Sequence, residues 1–354
     1  MEEGKISSQR FYNEYHGHPV EDLTLLHSHL RSYQNKNQDN PLIFLAGDSS
    51  LDNKHWFRNS NNALNGYEDI LSPPQSRQDI AYWMNYALTQ IQFENEKNEN
   101  SLSPLQHQQQ QQLRGHWSVI NCAIEESTVG ARSCGRLLPQ DRFISENIQS
   151  QDILMISVGG NDIALHPSLC TVLNLLCLTF CTTQSCIDHS CGTALPCDEY
   201  CGGCTSSCFS NFLAFPYGFG YFIHLFKVRI QSLIMKLISK QSPRHIYVCM
   251  IYYLDETPGN SWAEVALSGM QYNRNPKKLQ AIISHLFELA TKQIQIPGTI
   301  VTGIPLFRVL DGKDPTDYVE RVEPSAKGGK KMGMFLINEM MEELKGFHQE
   351  RMDR

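Results

Sequence analysis

Residues 41–52 read PLIFLAGDSSLD. An apolar run with no alternating polar position has no wet face, so it suits a strand buried on both sides of a parallel sheet. Four more runs of this kind follow: Trp117–Ala123 (WSVINCA), Asp152–Val158 (DILMISV), His245–Tyr253 (HIYVCMIYY) and Gly298–Ile304 (GTIVTGI). Between them apolar residues recur at helical spacing: in Arg77–Phe93 (Ile80, Trp83, Ala87, Leu88, Ile91), Leu225–Ile238 and Lys277–Ile294. Met332, Phe335, Leu336, Met340 and Leu344 mark a last amphipathic helix. Strand and helix in alternation predict a doubly wound α/β sandwich with five parallel strands. In such sheets the site lies beyond the carboxyl ends of the strands.

The chain has 354 residues, 41% hydrophobic and 19% charged, which supports a large core and excludes a disordered chain. A net charge of −7 argues against a nucleic-acid binder, which needs a basic surface. The first residues are polar and acidic, unlike a secretory leader. Phe209–Phe226 is the nearest thing to a spanning segment, but Asn211, Pro216, Gly218, Gly220 and His224 interrupt it. The expected address is therefore cytoplasmic, with no transmembrane segment. The expected organisation is an N-terminal extension over 1–40 and a single domain over 41–345. Two insertions interrupt that domain: an Asn/Gln-rich, disordered one at 94–114, which includes QHQQQQQ, and a cysteine-rich cap at 165–221.

The first run ends in Gly47-Asp48-Ser49-Ser50, where a turn presents a serine at a helix start. Helix capping by Asp48, Ser49 or Ser50 is the plainer reading. Glu126-Ser-Thr-Val-Gly130-Ala131 follows the second run, and Gly130 can bring a backbone N–H to a substrate oxygen. Gly159-Gly160-Asn161-Asp162 follows the third, and Asn161 offers a side-chain amide. With the Ser49 N–H these make a three-donor oxyanion hole, in which one donor is worth about 3–4 kcal/mol.

These three segments together resemble the SGNH hydrolases, also called GDSL esterases and lipases. The resemblance spans about Pro41 to Gly329. It implies a flavodoxin-like three-layer α/β/α sandwich, with Ser49 as nucleophile and the Gly130 N–H and Asn161 amide completing the oxyanion hole. It implies hydrolysis of a carboxylic ester, of a small molecule or a lipid, with no cofactor for catalysis.

The family's last segment is Asp-x-x-His followed by Pro-Ser. Here Glu320-Arg-Val-Glu323-Pro324-Ser325 places Glu323 where the histidine stands and Glu320 where the aspartate stands. Phrases such as LDNKHW and VEPSAKGG resemble a eukaryotic branch that shares this Glu-Pro-Ser variant. Glutamate is ordinarily a weaker base than histidine, and burial beside a second carboxylate raises its pKa. Glu323 is the expected base, supported by Glu320 or Asp317. Two alternatives stand: His55 or His166 replaces it, or the fold has become a binding module for a ligand or a protein.

Nine of the twelve cysteines lie between Cys170 and Cys208. In a reducing compartment such a cluster points to metal. Cys201-Gly-Gly-Cys204 has the gap that lets two thiolates reach one tetrahedral zinc. A structural zinc site would draw on Cys201, Cys204 and two of Cys186, Cys191, Cys197 or Cys208, with disulfides or free buried thiols as the alternatives. Cys170, Cys177 and Cys181 are expected to be small core residues.

Overall fold

The computed structural model describes residues 4–33, 40–98, 116–188 and 219–352. All five apolar runs are strands: β1 (Leu42–Gly47), β2 (Ser118–Asn121), β3 (Ile153–Ser157), β4 (His245–Met250) and β5 (Ile300–Pro305). They form one parallel sheet in the order β2-β1-β3-β4-β5, with Ile43 beside Ile153 and Ile153 beside His245. This is the flavodoxin-like order, whose switch point lies between β1 and β3.

Alternation along each strand divides the core into two layers. Phe44, Ile120, Leu154, Ile246 and Val248 face one side. There they pack with α1 (Val20–Ser32), α3 (Pro139–Asn147), α4 (Ile230–Leu237) and α5 (Pro276–Leu289). Ile43, Leu45, Val119, Met155 and Tyr247 face the other, against α2 (Ile80–Asn98) and α6 (Ala326–Met352). Both faces are covered, which is why the runs carry no polar alternation.

The expected N-terminal extension is part of this domain. Leu23, Leu26 and Leu30 of α1 are wholly buried at i, i+3 and i+7. Arg31, at the end of α1, forms a bidentate ion pair with the fully buried Asp152 ahead of β3. Asp152 also accepts the Leu42 N–H at 2.9 Å, so one carboxylate ties α1, β1 and β3 together.

The expected Asn/Gln-rich insertion begins on α2, which continues to Asn98, and its remainder lies outside the described residues. The cap begins with a helix, Leu169–Leu176, that runs into Cys177–Cys181. Against expectation Cys181 is exposed and Cys177 half-buried, because the apolar stripe Leu169, Leu173, Leu176 and Phe180 faces outward on this helix. No described helix is long and apolar enough to cross a membrane.

Candidate active site

At the switch point, β1 ends in Gly47 (φ 129°), and the chain turns so that Ser49 is buried at the carboxyl edge of the sheet. Asp48 holds the turn. Its carboxylate accepts the Ser50 N–H at 3.1 Å and the Ser50 hydroxyl at 2.7 Å through one oxygen, and the Gly159 N–H at 3.1 Å through the other. Asp48 therefore clamps the ends of β1 and β3 and is more than a helix cap. The Ser49 N–H makes no hydrogen bond.

Glu323 reaches the same point from far along the sequence. It lies on a hairpin in which Val319 pairs with Glu323 and Tyr318 with Pro324. Two successive left-handed residues, Glu320 (φ 51°) and Arg321 (φ 66°), turn the hairpin. The Arg321 guanidinium pins it by donating to the Asp255 carbonyl at 2.9 Å, and the Asn53 amide donates to the Pro324 carbonyl at 3.1 Å. The outcome is a hydrogen bond of 3.2 Å from Ser49 Oγ to Glu323 Oε1, between two buried side chains. The other carboxyl oxygen, Oε2, has no partner. Burial pushes the Glu323 carboxyl up to about 8, and the nearby Asp48 carboxylate adds to the rise. Burial likewise raises Asp48 to about 6.

The remaining sequence-predicted residues divide. Asn161 is buried at the start of the short helix Asn161–Ala164 and lines the same cavity as Ser49 and Glu323. One amide N–H donates to the Ser127 carbonyl at 3.1 Å, and the second remains for a ligand. Gly130 does not serve as expected. Its N–H donates to Asp162 Oδ1 at 2.8 Å, while the Val129 N–H takes Oδ2 at 2.7 Å. Earlier on the same connection Glu126 is left-handed (φ 59°), and its N–H makes no hydrogen bond among the described residues.

Neither carboxylate expected to support Glu323 makes a hydrogen bond with it. Glu320 accepts the Trp262 N–H at 3.0 Å, and Asp317 is ion-paired with Lys331 at 2.5 Å. A carboxylate that the sequence reading missed does feel the charge of Glu323. Glu125 is buried, its Oε2 has no partner, and burial together with the Glu323 and Asp52 charges raises it to about 9. Beneath it Asp52 and Lys54 form a wholly buried ion pair at 2.6 Å. The only sequence signal for this group was its place directly after β2 and inside LDNKHW.

No histidine among the described residues lines the cavity. His55 packs edge-on against Tyr15 at 4.6 Å, and His166 is exposed. The polar end of the cavity holds Asp48, Ser49, Ser50, Asn161 and Glu323, and the other described lining residues are apolar or aromatic.

Comparison with solved structures gives distant likenesses only. The chain resembles a carbohydrate acetylesterase from Sinorhizobium meliloti, with 10% identity over 85% of this chain and 98% of that one and a TM-score of 0.38. It resembles an extracellular lipase from Streptomyces rimosus, with 11% identity over 84% and 99% and a TM-score of 0.38. An aryl esterase from M. smegmatis gives 13% identity over 85% and 99% and a TM-score of 0.37. Likeness at this level says nothing of activity. No family model and no curated protein matches the chain.

The cysteines expected to hold zinc fall outside this description. Cys191, Cys197, Cys201, Cys204 and Cys208, and the Cys186 side chain, lie beyond the described residues. Among the described residues no three potential ligands converge. Cys134 is disulfide-bonded, whereas Cys122, Cys177, Cys181 and Cys249 are free thiols.

Proposed function

We propose that this chain is a serine esterase of the SGNH type that hydrolyses a carboxylic ester through an acyl-enzyme on Ser49. The hydrogen bond from Ser49 Oγ to the buried Glu323 carboxyl carries the reading. A hydroxyl joined to a base of raised pKa in a closed cavity is an activated nucleophile. As Oγ attacks the acyl carbon, ionised Glu323 takes its proton. The Ser49 N–H and the second Asn161 N–H receive the oxyanion, and the Glu126 N–H is the donor remaining on the turn that follows β2. Protonated Glu323 then returns its proton to the departing alkoxide. Water attacks the acyl-serine with Glu323 as base again, releasing the acid.

The reading is tested by covalent capture. A fluorophosphonate ester should form an adduct on Ser49, identified by peptide mass, and none on Ser49→Ala. Absence of an adduct from folded wild-type protein at pH 9 would leave the binding module, which the lack of a histidine among the described residues of the lining favours.

A structural zinc on the cysteine cluster and residence in the cytoplasm are separate proposals. The disulfide at Cys134 bears on both, since disulfides persist mainly in oxidising compartments. Metal analysis and thiol titration of protein purified without reductant decide between them. Stoichiometric zinc with the cluster unbridged supports both proposals, and a zinc-free chain whose cluster is bridged removes both.

A further inference from the structure

The cavity behind Ser49 has a volume of about 100 Å³, and its two ends differ in chemistry. The polar groups cluster at the mouth of the Ser49 site. Beyond them the walls are Phe226, Met250, Leu279, Ile282, Ile283 and Leu286, all buried. Phe226 is set by the backbone: a Cβ on Gly159 would stand 2.8 Å from its ring, so only glycine lets the ring lie against the end of β3. Among the described residues of the lining, the only ionisable side chains are the carboxyls of Asp48 and Glu323 and the phenol of Tyr252, whose hydroxyl is already committed to the Val322 carbonyl at 2.8 Å. Trp262 lines the cavity while 40% exposed, which places the entrance beside it.

We propose that this cavity is an acyl-chain site and that the substrates are esters of one short-to-medium, unbranched apolar acyl chain; calling them substrates rests on the esterase reading above. A sugar in this space would bury several hydroxyls against aliphatic walls without partners, which is unfavourable. An acetyl group would leave the deep walls uncovered. A cavity of about 150 Å³ with walls of this kind takes a benzene ring, so about 100 Å³ takes a tail of roughly four to six carbons. The acyl carbonyl then sits between Ser49 and Asn161, the tail runs toward α5, and the alcohol part leaves past Trp262.

Binding separates this inference from catalysis. Hexanamide, a neutral and unreactive stand-in for a hexanoyl ester, is titrated into full-length Ser49→Ala protein by calorimetry, with acetamide as control. Hexanamide should bind saturably and about two-hundredfold more tightly than acetamide, from four added methylenes. Ile283→Trp should cut that affinity at least tenfold. Met270→Trp, at a half-buried edge of the same cavity, should do the same and decides the matter if Ile283→Trp does not fold. In wild type, kcat/KM should rise about fourfold per methylene from acetyl to hexanoyl esters and fall again by dodecanoyl. Hexanamide binding no better than acetamide, or undiminished in both folded tryptophan variants, overturns the acyl site. Tight hexanamide binding with no ester turned over overturns the esterase and leaves the acyl site standing.

Discussion

Ser49→Ala is expected to lower kcat for ester hydrolysis by about 10⁴-fold or more, and Glu323→Gln by about 10²–10⁴-fold. The double variant should be no worse than Ser49→Ala, because the two side chains act through one hydrogen bond. The pH profile identifies the base. Glu323 works only when ionised, and its pKa is raised to about 8, so kcat/KM should climb about tenfold per unit below pH 8 and level off above it. At pH 7 about a tenth of the protein carries an active base. Glu323→His should move the rising limb down toward about 6.5. A wild-type limb already at 6.5 would mean that a histidine does this work, and the assignment of Glu323 would be lost.

The same carboxyl sets a stability signature of opposite sign. Its pKa is about 8 when folded, against an ordinary value of 4.5, so the folded chain holds an extra proton between these values. Its contribution to stability is complete below about pH 4.5 and is lost as the pH rises through 8. Gln keeps the neutral shape at every pH. Glu323→Gln should therefore melt with wild type near pH 5 and above it at pH 9, while losing activity. Equal melting temperatures at both pH values would show that the carboxyl is not held protonated.

Gly47→Ala is expected to cost about 5 kcal/mol or more, enough to leave most of the chain insoluble or unfolded. Two effects add at this residue. Its φ of 129° is strained for any side chain, and a Cβ would stand 1.7 Å from the Ser157 carbonyl oxygen, where β1 and β3 lie side by side. That carbonyl cannot swing away, because it accepts the Asp48 N–H at 3.0 Å. Gly298→Ala is the control. It too is left-handed (φ 81°), but nothing lies within 4 Å of its Cβ, so it should cost only about 1–2 kcal/mol. Urea midpoints measured at constant m separate the two. A soluble Gly47→Ala protein as stable as Gly298→Ala would show that β1 and β3 are not held this closely.

Much of the fold was legible because burial on both faces leaves a mark along the chain. Each of the five strands lies within, or one residue beyond, an apolar run of the sequence. Leu23, Leu26 and Leu30 carried the same kind of mark at helical spacing, so the place of α1 in the core was readable and was overlooked. Ser49 and Asn161 were legible because strand ends in a parallel sheet converge. Glu323 was legible through Pro324-Ser325, which located it on the family's pattern.

What the sequence by itself determined is therefore the alternation of strands and helices, the residues at the strand ends and the absence of a histidine where the base is expected. Tertiary structure decided which of those residues meet. Glu126 and Gly130 lie four residues apart on the connection after β2, yet of their two N–H groups Asp162 takes only that of Gly130, a choice set by backbone direction and not by residue type. Glu320 and Glu323 lie three residues apart, yet two left-handed residues send one carboxylate to Trp262 and the other to Ser49. The rise of Glu323 to about 8 comes from dehydration in a closed space walled by segments distant in sequence. Spacing records which face of a strand or helix a residue occupies. The direction of an N–H, the partner of a carboxylate and the water around it depend on groups brought together only when the chain is folded.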